Sequence, residues 1–164
     1  MRHAFFIVLL FAVPLMATAQ TEEGSWLVEV NTGTLAIGNT AFSLSSVDGN
    51  TSWSVGAEGG YFVTDDLALK VGLGYGDAGE FSDGVLVYKL GGKYYINGQI
   101  PVGLDFTGIS SDGNSANWVG AQGGYAVFLG ETVAIEPALR YNFTLDEDEA
   151  DSVFQALIGF TIFL

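Results

Sequence analysis

Apolar and polar residues alternate with a period of two along most of this chain. Trp53, Val55, Ala57, Gly59, Tyr61 and Val63 fall on one face, and Ser54, Gly56, Glu58 and Gly60 on the other. Leu67, Leu69, Val71, Leu73 and Tyr75 alternate in the same way with Ala68, Lys70, Gly72 and Gly74. Further runs of this kind cover 86–96, 100–108, 119–127, 133–143 and 154–164. Alternation sustained over about ten residues specifies strands, and no comparable stretch carries helical spacing. Trp26, Val28 and Val30 open another strand. Residues 33–50 read either as a first loop with a strand extension or as the holder of the true first strand.

Short turn signals (Thr64-Asp65-Asp66, Asn97-Gly98, Leu129-Gly130-Glu131) alternate with longer polar connections at 77–83, 110–116 and 144–152. Short turns at one end and long loops at the other predict an all-β, antiparallel up-and-down meander. Closed into a barrel, it counts as eight strands, an even number as in bacterial outer-membrane barrels. There is also an internal echo. Asp48-Gly49-Asn50 recurs as Asp112-Gly113-Asn114, and Gly56-Ala57-Glu58-Gly59-Gly60-Tyr61 as Gly120-Ala121-Gln122-Gly123-Gly124-Tyr125. It fits either two similar four-stranded halves or the general likeness of barrel hairpins.

Charge sorts by face. The less apolar face carries Glu29, Glu58, Lys70, Lys89, Lys93, Asp105, Glu136 and Arg140, together with many glycines, while the other face of every strand is uncharged. A soluble lipocalin-type barrel would point its apolar face inward; a membrane barrel inverts that arrangement. Three features select the membrane version. Glycine weakens a strand and has little use on a water-facing surface, but it makes room in a narrow lumen. The bases and acids balance, as buried charges must; a three-residue turn at 63–65 sets Glu58 opposite Lys70, and a turn at Gly98 sets Asp105 opposite Gly91. Finally, aromatics of the apolar face gather at the strand ends. Trp26, Tyr61, Tyr94 and Tyr125 lie at one end, and Trp53, Tyr75, Phe106, Tyr141, Phe143 and Phe154 at the other, as two interfacial girdles.

Composition sharpens this picture at the N-terminus. Arg2 and His3, an apolar run from Ala4 to Leu15 broken by Pro14, and Ala17-Thr18-Ala19 before Gln20 read as a cleaved secretory signal over residues 1–19. A membrane anchor would need about 18 uninterrupted apolar residues. The barrel domain is then 20–164, and the single His departs with the leader. Only four bases remain (Lys70, Lys89, Lys93, Arg140) against 19 acids, so nucleic acid is a poor partner. Hydrophobic residues make up 49 % of the chain and mean hydropathy is +0.36, which excludes disorder despite a net charge of −14.

Together these features resemble the small outer-membrane β-barrels of the OmpA/OmpX type, in the form widespread among Bacteroidota. The matching elements are Gly24-Ser25-Trp26-Leu27-Val28, Gly59-Gly60-Tyr61-Phe62-Val63, Asp66-Leu67-Ala68-Leu69, Lys93-Tyr94-Tyr95 and the last strand, 154–164. The resemblance implies an integral protein of a Gram-negative outer membrane, surrounded by lipid and lipopolysaccharide. It also implies that Phe154, Ile158, Phe160, Ile162 and Leu164 form the signal read by the barrel-insertion machinery. Two departures stand out. The family signal usually ends in an aromatic, whereas here Leu164 is last and Phe163 has inward parity. Pro137 lacks a ladder N–H in a closed barrel, so a local bulge is expected there.

Chemistry finds little material. With no Cys in the chain and no His after the leader, Ser-His, Cys-His and His-metal arrangements are excluded, and the enzymatic small barrels rely on His. No catalytic residue and no cofactor are expected. Side chains fill the interior of an eight-stranded barrel, so paired charges should plug it, with a narrow porin-like path as the alternative. Ten of the remaining acids lie on the long loops: Asp48, Asp77, Glu80, Asp83, Asp112, Asp146, Glu147, Asp148, Glu149 and Asp151. Asp146, Asp148, Glu149 and Asp151 could bind a divalent cation and bridge it to lipopolysaccharide, although EF-hand spacing is absent. A solvated acidic loop is the plainer alternative.

Overall fold

The computed structural model describes residues 20–33, 42–47, 50–77, 84–111, 114–147 and 150–164. The expected leader, and with it Asp48, Glu80, Asp83, Asp112, Asp148 and Glu149, lies outside these residues. Among the described residues ten strands form in chain order: β1 Trp26–Asn31, β2 Ser43–Val47, β3 Asn50–Thr64, β4 Leu67–Asp77, β5 Val85–Ile96, β6 Ile100–Ser111, β7 Asn114–Gly124, β8 Val127–Phe128, β9 Val133–Thr144 and β10 Val153–Phe163. All pairings are antiparallel. Neighbours run in sequence order, and β1 pairs both β10 (Val28↔Ile162) and β3 (Val28↔Gly59), closing an eight-stranded up-and-down barrel.

The two supernumerary strands are continuations. β2 pairs with the far half of β3 (Ser43↔Ser54), above the part of β3 that β1 occupies. The ambiguity of 33–50 therefore resolves as the first alternative: Trp26–Asn31 is the first barrel strand, and Ser43–Val47 is a strand extension on the same neighbour, not the true first strand. β8 pairs β9 in the register that β7 began, after an interruption at Tyr125-Ala126.

Three expectations need correction. The connection expected at 110–116 is short, because Ser110↔Ser115 and Ser111↔Asn114 continue the β6–β7 ladder. Backbone pairing carries a polar hairpin beyond the point where side-chain alternation fades. Glu58 does not face Lys70; it faces Gly72, while Lys70 faces Gly60. The cause is the turn, which lies at Asp65-Asp66, with Asp66 at φ 65°, instead of 63–65; a register shift between Phe62 and Thr64 then keeps Glu58 and Gly72 on the same face. Nor does the register shift at Pro137, which pairs Ile158 in an unbroken ladder. Its missing N–H instead faces Tyr125, in the gap between β7 and β8, where the Tyr125 N–H donates to the Pro137 carbonyl (3.0 Å).

Alternation leaves the barrel apolar outside. Val55, Leu69, Val71, Leu73, Leu90 and Leu104 are all exposed, whereas most inward positions are buried. At the short-turn end the interior is apolar as well: Leu27, Phe62, Ala68, Tyr95, Ala126, Ala134 and Phe163 form one buried cluster, with Phe128 packed against it. Phe163 lies at its centre, with ring centroids 6.3 Å from Phe62, 6.0 Å from Tyr95 and 5.7 Å from Phe128. Its inward parity thus has a packing reason. Beneath it, residues 20–25 cross the opening. The Gly24 N–H donates to the Phe62 carbonyl (2.9 Å) and the Asp66 N–H to the Thr21 carbonyl (2.7 Å). Phe163→Ala should lower the free energy of unfolding by about 3–5 kcal/mol, read as an earlier urea midpoint in detergent micelles, whereas outward Phe160→Ala should cost less.

Candidate functional site

The chemistry of this chain is concentrated in the lumen, between the apolar cluster and the long-loop end. All eight charges assigned to the inner face from sequence point inward, and all but Asp105, which is partly covered, are buried. Six of them form one alternating chain. Lys89 Nζ contacts Glu58 Oε1 (2.8 Å), and Lys70 Nζ contacts both Glu58 Oε2 (2.7 Å) and Glu29 Oε2 (2.6 Å). Lys93 Nζ then joins Glu29 Oε2 (2.7 Å) to Glu136. Tyr95 Oη donates to the other oxygen of Glu136 (2.8 Å), which ties the charge network to the aromatic cluster.

The remaining two charges form a fork. Arg140 Nη1 and Nη2 donate to Asp105 Oδ2 (2.6 Å) and Oδ1 (2.7 Å), a bidentate pair. Its Nε donates to Asn142 Oδ1 (2.7 Å), and Asn142 Nδ2 donates to Gln155 Oε1 (2.8 Å). Asp105 also accepts from the Thr107 hydroxyl (2.6 Å). Lys89 and Lys93, diagonal to Asp105 along β5, make their ion pairs with Glu58, Glu29 and Glu136 instead.

Glycine supplies the space. Glu58 and Lys89 both lie against Gly72, Lys70 lies between Gly60 and Gly91, and Asp105 lies between Gly91 and Gly120. A Cβ on Gly91 would come within 2.4 Å of both the Leu104 carbonyl oxygen and Asp105 Cβ, and one on Gly120 within 2.0 Å of the Arg140 guanidinium. Long side chains thus sit beside bare backbone all round the barrel. Among the described residues two cavities in this layer each hold about 10 Å³, one among Glu58, Lys70 and Asp105 and the other among Glu29, Asn31 and Glu136, with Gln122 on both. That is the room of single waters.

Toward the long loops, inward Trp118 is 1 % exposed, and its indole N–H donates to the Asp151 carbonyl (3.1 Å). Asp146, a candidate cation ligand, accepts from the Asn117 N–H (2.8 Å) and Asn117 Nδ2 (3.0 Å), so its carboxylate pins the 144–152 loop to β7. Tyr88 donates to Asn117 Oδ1 (2.9 Å) from β5. Asp151 is exposed. Among the described residues, His, Cys, Asp and Glu do not gather in threes in a way that could hold a metal ion.

The ten aromatics assigned to girdles all face outward. Trp26 and Tyr61 touch at one end (5.0 Å), Trp53 and Tyr75 (5.9 Å) and Tyr141 and Phe143 (4.5 Å) at the other. Sequence reasoning missed the inward aromatics Phe62, Tyr95, Phe128 and Trp118. The available signal was parity: Phe62 and Tyr95 each follow an outward tyrosine directly.

No protein-family model and no curated protein matches this chain. Among solved structures it is similar to the N-terminal β-barrel domain of Pseudomonas aeruginosa OprF, with a TM-score of 0.57 and 15 % identity over 87 % of this chain and 98 % of that one. It is also similar to a de novo designed transmembrane β-barrel, with a TM-score of 0.49 and 17 % identity over 88 % of this chain and 99 % of that one. The OprF likeness supports the fold alone, a small closed antiparallel β-barrel.

Two substitutions test the site. Lys93→Met leaves Glu29 and Glu136 without their shared cation and should cost about 3–5 kcal/mol in urea titrations; exposed Glu22→Gln should leave the midpoint in place. Gly91→Ala should cost about 1–3 kcal/mol by overpacking, while Gly59→Ala and Gly123→Ala, which meet nothing within 4 Å, should cost less.

Proposed function

We propose that this chain is an integral outer-membrane barrel of a Gram-negative envelope, with a structural or surface-interaction role, a closed lumen and no catalytic activity. The observation that carries this reading is the inversion of polarity: charge is paired inside, and the outside is apolar between two aromatic belts. A soluble ligand carrier has the opposite arrangement. Strands β3 to β7, β9 and β10 run 11 to 15 residues, and a tilted strand crosses a bilayer in about 9–11. Lipid and lipopolysaccharide cover the outward face. The insertion machinery reads Phe154, Ile158, Phe160, Ile162 and Leu164, all on that face. The short turns face the periplasm and the long loops the exterior.

Closure rests on two barriers in series, the ion-paired layer and the apolar cluster around Phe163. With every base of the barrel domain inside the lumen, contact between the acidic loops and anionic lipopolysaccharide would run through divalent cations. Calcium should then raise the melting temperature at constant ionic strength, and no shift would dispose of that contact.

Cell fractionation tests the membrane assignment: the chain should require detergent for extraction and should migrate differently on gels when unboiled. Liposomes containing it should be impermeable to small sugars. Sugar flux would overturn the closed lumen in favour of a channel, and a freely soluble product would overturn the membrane reading.

A further inference from the structure

Gly92 stands where the lumen does not need it. It shares the outward parity of Leu90 and Tyr94 on β5, and a Cβ there would meet only the Ala68 carbonyl oxygen (3.7 Å) and a Leu69 methyl (4.0 Å). Glycine inside a strand costs stability, and it marks places where a ligand approaches the backbone closely. The register sets Gly92 beside Leu104 and Leu104 beside Ala121, so small residues flank a leucine on the outer surface. Gly92 and Ala121 floor an apolar groove of about 470 Å³, walled by Leu67, Tyr94, Val102 and Leu104. Leu67 pairs with Tyr94, which puts one end of the groove at the short-turn girdle.

That end is acidic. Asp65 and Asp66 immediately precede Leu67, and the Asp66 carbonyl accepts the Tyr95 N–H (2.8 Å), which holds the turn beside Tyr94. Thr21 Oγ1 donates to Asp66 Oδ1 and the Glu23 N–H to Asp65 Oδ1 (3.0 Å), which leaves Oδ2 of each carboxylate for another donor. Glu22 and Glu23 are exposed on the segment attached there, and every base of the barrel domain is inside the lumen. We propose that the groove binds one acyl chain of a phospholipid whose headgroup carries a primary ammonium, with the ammonium donating to Asp65 and Asp66. The proposal rests on the membrane reading above, which puts hydrocarbon against this face and the short turns at the periplasmic surface. Charge then selects among lipids: the rim attracts an ammonium and repels a headgroup of net negative charge. A second copy on the same groove, in the same orientation in the membrane, would instead bring its own acidic turn against this one.

The test mixes the full chain, in detergent micelles, with equal amounts of phosphatidylethanolamine and phosphatidylglycerol of the same acyl chains, and counts retained lipid by native mass spectrometry. The wild type should keep one phosphatidylethanolamine per chain, at about fivefold preference over the glycerol lipid. Gly92→Leu fills the groove and should lose most of that lipid. Gly59→Leu, outward on β3 with nothing within 4 Å of its Cβ and away from the groove, should keep it. Asp65→Asn should retain a lipid but lose most of the preference; on an exposed turn, it carries the test where Gly92→Leu fails to give the gel shift of a folded barrel. Equal retention of both lipids, unchanged by Gly92→Leu, is an unselective lipid belt and overturns the proposal while leaving the membrane reading intact. A lipid-free dimer that Gly92→Leu dissociates overturns it in favour of a second copy. A chain that is freely soluble without detergent overturns the membrane reading, and this site with it.

Discussion

Four bases and four acids share the interior of a barrel only eight strands around, where two cavities among the described residues have the size of single waters. Solvation there is scarce, so each charge must find its counter-charge in the protein. That requirement fixes much of the rest. It favours bare backbone beside long side chains, which is why glycines flank Lys70 and Asp105 and Gly72 lies beside Glu58. It fixes the relative height of strands distant in sequence, since Lys93 of β5 reaches Glu29 of β1 and Glu136 of β9 across the lumen. It also leaves no base to neutralise the rims, whose acids account for the net charge.

The apolar floor complements this layer. Phe62, Tyr95, Phe128 and Phe163 interlock at the short-turn end, and Tyr95 belongs to both regions through its hydroxyl bond to Glu136. The first and last strands are drawn into the same assembly. The Trp26 N–H donates to the Leu164 carbonyl and the Leu164 N–H to the Trp26 carbonyl, so closure of the barrel and packing of the floor occur at one place. Trp118 covers the opposite end of the charged layer.

The face of almost every strand residue was legible in sequence because a period of two is rigid: one misplaced residue would send a lysine into the apolar face. The eight inner charges and the outward aromatics follow from that rule alone. Pairing between strands was not legible to the same degree. The turn sits at Asp65-Asp66 instead of 63–65, which sets Glu58 against Gly72 in place of Lys70, and the slip beside Val63 keeps both on the inner face. Partners across the lumen depend on barrel cross-section, which alternation does not encode. The aromatic floor was hidden for another reason. Parity marks Phe62, Tyr95 and Phe163 as inward, but a mostly polar inner face invites the assumption that it stays polar to its end.

The central claim is that inward and outward are as described, with lipid against the apolar face. The chain's three tryptophans test it most directly, in variants that each retain one of them with phenylalanine at the other two positions, reconstituted with bromine-labelled lipids. Trp26 and Trp53, on the outward face, should lose fluorescence to the bromines, while Trp118, 1 % exposed inside the barrel, should be spared. Strong quenching of Trp118 with protection of Trp26 and Trp53 would contradict the account.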